Sequence, residues 1–203
     1  MIRTILFDMG NVLVYFSHER MYSQIGEVCG LSGPRMNEVV LEQGLLRDFE
    51  SGRISNWDMH RRLEQLASRQ IRLDDLARAS CDIFELNEPM APLLDELKAG
   101  GCRLVLFSNT SAAHFDWVSR KFDILNRFDD FVLSYQVGAL KPEPEMFEAA
   151  LSKIDCRPDE CFYTDDMPEN IAAGRTHGLQ AEVFEGAAGL RASLTGHGIC
   201  RAA

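Results

Sequence analysis

The chain has 203 residues, 46% apolar and 26% charged, with a formal net charge of −10. That length buries a substantial core, as one domain with a large insertion or as two small ones. The acidity argues against a nucleic-acid surface, which needs clustered Lys and Arg, and no apolar run approaches membrane-spanning length, so neither kind of partner is expected.

Thr4 to Phe7 reads as a strand buried on both faces, and it stops abruptly at Asp8-Met9-Gly10-Asn11. Asp8 therefore stands at a strand's carboxyl end, where an open parallel sheet forms its ligand crevice. Taken alone, it also fits the start of a tight turn. From Ser17 to about Glu88 the pattern is helical, with no strand signal. Met21, Ile25 and Val28 mark a first helix stopped by Gly30, and Met36, Val39 and Val40 a second before Gly44. Ser55 and Asp58 approximate a capping box for a third helix, whose apolar face carries Ile54, Trp57, Leu63 and Leu66. Leu73, Leu76, Ala77 and Ile83 suggest a fourth. Such a block between a first strand and a later α/β region predicts an inserted helical cap over 17–88, with a core formed by 1–16 and 89–203.

Beyond Pro89 strands and helices alternate. Leu93, Leu94 and Leu97 give a helix ended by Gly100-Gly101, and Arg103–Phe107 is a strand running into Ser108-Asn109-Thr110. A helix over 112–121, a strand over 131–133 and a helix over 145–154 follow. Cys161–Tyr163 is a strand ending at Thr164-Asp165-Asp166, then come a helix over 171–177, a strand over 181–184 and a weak final helix with a frayed end. The expected fold class is α/β, a doubly wound parallel sheet with a Rossmann-like core and an inserted helical cap.

Three strand ends would bring to one crevice the carboxylates of Asp8, Asp165 and Asp166, the donors of Ser108 and Asn109, and the cation of Lys141. Without a counterion the carboxylates would repel one another, and a hard divalent cation, Mg²⁺, resolves the conflict. Donors opposite the metal would neutralise phosphoryl oxygens, the arrangement that phosphoryl transfer requires. Singly, Ser108-Asn109 also fits a helix cap, Lys141 a solvated loop lysine, and Asp165-Asp166 an acidic helix start.

The motifs Phe7-Asp8-Met9-Gly10-Asn11-Val12, Phe107-Ser108-Asn109-Thr110, Lys141-Pro142 and Tyr163-Thr164-Asp165-Asp166 with Asn170 resemble those of the haloacid dehalogenase-like hydrolase superfamily, in the branch with a helical (C1-type) cap. Within it, the wording around Asp8 and the cap stretch Glu50-x-Gly52-x-Ile54-Ser55 are similar to the bacterial α-D-glucose-1-phosphate phosphatases. The resemblance implies that Asp8 is the nucleophile, forming an aspartyl-phosphate. It further implies that Ser108 and the Asn109 N–H hold the phosphoryl group and that Lys141 balances charge on Asp8 and phosphate. Asp166 is then a direct Mg²⁺ ligand, and Asp165 either a ligand or its support.

The departure is Gly10, where most phosphatases of this kind carry a second Asp that protonates the leaving group. Glycine still offers its carbonyl to the metal, but the acid/base is missing, a loss of about 10²–10⁴-fold in rate. Asn11, a metal-bound water, or His18 and Glu19 at the cap entrance are candidate substitutes, and Gly10→Asp is expected to raise turnover. His60, His114, His177 and His197 read as surface or satisfied core residues, and Trp57 as cap packing. The expected activity is Mg²⁺-dependent hydrolysis of a small phosphorylated metabolite, a sugar phosphate, by a monomer or homodimer. A metal-independent 2-haloacid dehalogenase and a phospho-ligand-binding protein with little turnover remain alternatives. The six scattered cysteines and the absence of a signal-peptide pattern predict reduced thiols and a cytoplasmic setting.

Overall fold

Five parallel strands form the central sheet of the computed structural model, which describes residues 1–199. The elements run β1 (Thr4–Phe7), β2 (Val14–Tyr15), α1 (His18–Cys29), α2 (Gly33–Glu42), α3 (Leu45–Glu50), α4 (Asn56–Ala67), α5 (Leu73–Cys81) and β3 (Glu85–Leu86). The chain continues through α6 (Met90–Ala99), β4 (Arg103–Ser108), α7 (Ala112–Lys121), β5 (Asp130–Leu133), α8 (Ser134–Val137) and α9 (Pro144–Leu151). It ends with β6 (Cys161–Asp165), α10 (Pro168–Thr176), β7 (Gln180–Val183) and α11 (Ala187–Gly196).

The sheet order is β5-β4-β1-β6-β7, so β1 lies at the centre between β4 and β6. Phe7 is level with Leu106 on one side and Thr164 on the other, which brings the residues after all three strands to the same edge. Alternate side chains bury opposite faces. Ile5, Phe7, Leu104, Leu106 and Phe162 pack with Leu94 of α6, Val118 of α7 and Leu194 of α11. Leu6, Val105, Phe107 and Tyr163 pack with Met146 and Phe147 of α9 and Ile171 of α10. Apolar residues on both faces explain why these strands read as continuous apolar runs.

The helical block begins where Ser17 caps α1, and α4 opens with the full capping box of Ser55 and Asp58. Several features differ from the sequence reading. β2 and β3 pair antiparallel, a ribbon too short to produce a periodic signal, and β3 lies inside the span read as purely helical. α3 was not anticipated. Trp57 is 57% exposed, with its ring stacked on His60, and does not form the packing face expected of it. Six residues advance a helix by about 600°, so Trp57 sits about 120° away from buried Leu63. The helix expected to reach Ile154 ends at Leu151, and Ile154 is buried from the following turn, where its carbonyl accepts from the Thr4 hydroxyl. Part of the expected frayed tail, residues 200–203 with Cys200, lies outside the described residues; Cys29, Cys81, Cys102, Cys156 and Cys161 are free thiols.

Candidate active site

Asp8 follows β1 directly and is 8% exposed, its backbone N–H held by the Thr164 carbonyl at 3.1 Å. Lys141, on the loop before α9, reaches into the sheet edge. Its ammonium donates to Asp8 Oδ1 at 2.8 Å, Asp165 Oδ2 at 2.6 Å and the Phe107 carbonyl at 2.8 Å. All three protons are used, which is what allows an ammonium to be buried. Asn109 fixes the loop through a reciprocal pair with the Lys141 backbone, its Nδ2 donating to the carbonyl at 3.0 Å and its Oδ1 accepting from the N–H at 2.7 Å.

Asp165 is fully buried at the end of β6 and saturated on both oxygens. Oδ1 accepts from the Met167 N–H at 2.9 Å and Asn170 Nδ2 at 3.0 Å, and Oδ2 accepts from Lys141 and from the Tyr163 hydroxyl. Asp166, one residue on, faces the cleft and accepts from Asn11 Nδ2 at 2.8 Å. Asp8, Asp165 and Asp166 each bring a carboxylate oxygen within 4.8 Å of the others. Burial pushes the Asp8 carboxyl above the ordinary carboxylate range against the attraction of Lys141. Burial acts on Asp165 in the same sense, but the charge of Lys141 and the hydrogen bonds from Lys141, Tyr163 and the Met167 N–H outweigh it and hold that carboxyl low.

The donor set fits a hard divalent ion. It is oxygen-rich, one buried cation faces three carboxylates, and Asn170 presents a buried Oδ1 with no partner beside them. Ser108 is buried at 1% exposure, its hydroxyl 3.4 Å from the Asn109 carbonyl, while Asn109 and Thr110 line the cleft beyond it. The sequence-predicted residues therefore converge at one sheet edge, with Ser108 set one layer back.

Gly10 also lines the cleft, and the ring of Phe16 occupies the space beside it. Among the proposed substitutes for the missing acid, Asn11 is committed to Asp166, His18 stands at the cleft's exposed rim, and Glu19 is not part of the cleft lining. Two lining residues were not anticipated. His114, read as a surface or core histidine, is buried and donates from Nε2 to the Ser80 carbonyl at 3.1 Å; burial pushes it down to about 4. Glu50, at the end of α3, enters the cleft from the helical block, and burial with the Asp8 charge pushes its carboxyl up to about 7. Nothing in the periodicity marks Glu50, and the only signal was its place in the Glu50-x-Gly52-x-Ile54-Ser55 stretch. A second cavity, between the helical block and the start of α7, is lined mainly by apolar residues such as Ile25, Phe49 and Leu63 and shares His114 with the cleft.

A parallel sheet carrying a buried carboxylate–lysine cluster at the carboxyl ends of its three central strands defines an α/β enzyme with a polar cleft. Residues 2–178 match the family model described as haloacid dehalogenase-like hydrolase, and the chain belongs to that family. It is 26% identical over 203 residues to D-ribitol-5-phosphate phosphatase of Bacteroides thetaiotaomicron, covering 96% of this chain and 98% of that one. It is 25% identical to phosphatase MT3486 of Mycobacterium tuberculosis, covering 98% and 93%. Among solved structures, an enzyme of the same family from B. thetaiotaomicron, in complex with magnesium and inorganic phosphate, superimposes with a TM-score of 0.82 at 22% identity over 92% of this chain and 96% of that one. The chain is thus an enzyme of this hydrolase family whose full-length relatives include phosphatases. No helix among the described residues is long and apolar enough to cross a membrane.

Proposed function

We propose that the protein is a Mg²⁺-dependent phosphatase that hydrolyses a small phosphorylated metabolite, a sugar phosphate or related polyol phosphate, through an aspartyl-phosphate on Asp8. The observation that carries this reading is the cluster of Asp8, Asp165 and Asp166 oxygens within 4.8 Å of one another, with the buried Lys141 ammonium on Asp8 and Asp165. Asp8, Asp166 and the Gly10 carbonyl would hold the ion, with saturated Asp165 behind them as support. When bound, the ion supplies positive charge that neutralises phosphoryl oxygens. Lys141 orients the Asp8 carboxylate through Oδ1 and opposes the burial that would protonate it. Ser108 and the Asn109 N–H would hold the transferring phosphoryl group. The helical block over 17–88 would act as the cap, excluding water and selecting the leaving group.

The substrate class draws support from the ribitol-phosphate relative and from a cleft of about 210 Å³ that carries polar side chains at Asn11, His18, Glu50 and Asn170. Free thiols at the described cysteines fit a reducing, cytoplasmic setting. The acidic cluster favours this reading over a metal-independent dehalogenase. The test is phosphate release from p-nitrophenyl phosphate and glucose 1-phosphate, with Mg²⁺ and with EDTA, beside Asp8→Asn. Release that requires Mg²⁺ and disappears in the variant is the expected result. Release indifferent to EDTA, or halide release from a 2-haloacid, would overturn the reading.

A further inference from the structure

Glu50 is the one carboxylate that α1–α5 contribute to the reaction cleft, and several contacts hold it there. Its backbone carbonyl accepts from the hydroxyl of Ser134 at 2.6 Å, and Ser134, fully buried at the end of β5, accepts from the Thr110 N–H at 2.8 Å. Two residues on, Gly52 has φ +70°, and a Cβ there would lie 2.3 Å from the Tyr135 carbonyl oxygen. Only a glycine lets this loop approach α8 so closely. Arg47 of α3 pairs with Glu143 beside the Lys141 loop. The segment carrying Glu50 is thus docked on the sheet edge as well as on the rest of the helical block.

Position 10, also in the cleft lining, offers no acid. At Gly10 the ring of Phe16 fills the space a side chain would need, with Cε1 2.7 Å from the Cβ position. Asn11 cannot titrate, and the Nε2 proton of His114 is committed to Ser80.

We propose that Glu50 is the acid–base residue of this reaction, delivered by the helical block to do what position 10 cannot. The inference builds on the phosphatase reading above. As an Asp8 oxygen forms its bond to phosphorus and the bond from phosphorus to the ester oxygen breaks, the Glu50 carboxyl gives its proton to that oxygen, and the alcohol leaves. The resulting carboxylate then takes a proton from the water that attacks the phosphorus of the aspartyl-phosphate. The bond to Asp8 breaks, phosphate is released, and both carboxyl groups return to their starting states. The charged or titratable groups sharing the cleft are Asp8 from β1, His18 from α1, His114 from α7, Lys141 from its loop and Asp166 after β6. Burial pushes the Glu50 carboxyl up from its ordinary range, toward the form that can give a proton.

The test compares leaving groups in Glu50→Gln, with Mg²⁺ present. p-Nitrophenolate leaves without a proton, whereas a sugar alkoxide does not. The expected result is a first-turnover burst of p-nitrophenolate within a few-fold of wild type, followed by steady-state turnover slowed by about 10²-fold. Single-turnover cleavage of glucose 1-phosphate should slow by about 10²-fold or more. Equal slowing of both first steps, or slowing of neither, overturns the inference. If the Gln variant does not fold by circular dichroism, the same comparison is made on Glu50→Asp, whose shorter acid should show the same split to a smaller degree. A wild type that releases phosphate from neither ester overturns the phosphatase reading itself. A normal wild type with a uniform Glu50 response removes only the role given to Glu50.

Discussion

Phe16 stands where a side chain on Gly10 would have to go, its Cε1 2.7 Å from the Cβ position. The sequence by itself suggested that Gly10→Asp would restore a missing acid and raise turnover. The packed ring reverses that expectation, because the new side chain must displace an aromatic from a filled site at a cost of about 1–3 kcal/mol. Gly10→Asp is therefore expected to be less stable in urea and slower on p-nitrophenyl phosphate than wild type. The double variant with Phe16→Ala should recover part of the lost stability.

Lys141→Met leaves two carboxylates, Asp8 and Asp165, facing each other in the core without their ammonium. Removing one partner of a buried ion pair costs about 3–5 kcal/mol. Urea unfolding in EDTA should register a loss of that order, and saturating Mg²⁺ should return part of it.

Gly52→Ala puts a methyl 2.3 Å from the Tyr135 carbonyl oxygen at a backbone angle that L-residues rarely adopt. The expected cost is about 1–3 kcal/mol, with a fall in kcat/KM as the Glu50 loop lifts from α8. Thermal unfolding and steady-state kinetics measure the two effects. Full activity in a destabilised variant would show that loop docking and catalysis are separable.

Glu50 also makes stability depend on pH. Its folded value of about 7 lies above the ordinary 4.5, so folding favours the protonated form. That contribution is fully present below about pH 4.5 and is lost as the pH rises through about 7. Glu50→Gln cannot ionise and should gain on wild type by on the order of 1–3 kcal/mol between pH 5 and pH 8. Denaturant unfolding at the two pH values in EDTA checks the sign, and repeating it in an Asp8→Asn background removes the titration of Asp8, which is linked to that of Glu50.

The sheet was largely legible because its signals are local. Runs such as Leu104 to Phe107 are apolar on both faces, and each ends at a polar break that marks the strand's carboxyl end. The capping box at Ser55 is likewise a contact between residues three apart, and it formed as read. Failures fell where the sequence carries no period. The two-residue strands β2 and β3 pair across about seventy residues of chain. Trp57 showed that an apolar residue near an apolar face need not lie on it.

The sequence alone determined an α/β chain with carboxylates, hydroxyl and amide donors and a lysine at strand ends, since composition and local pattern dictate which segments become strands and where they stop. Tertiary structure alone decided that Lys141 spends its three protons on Asp8, Asp165 and Phe107. It also decided that Asp165 is saturated while Asp166 faces the cleft, that Phe16 fills the space at Gly10, and that Glu50 joins the cleft lining. The physical reason is that hydrogen-bond saturation, steric exclusion and burial belong to neighbours in space, and those neighbours lie tens of residues apart along the chain.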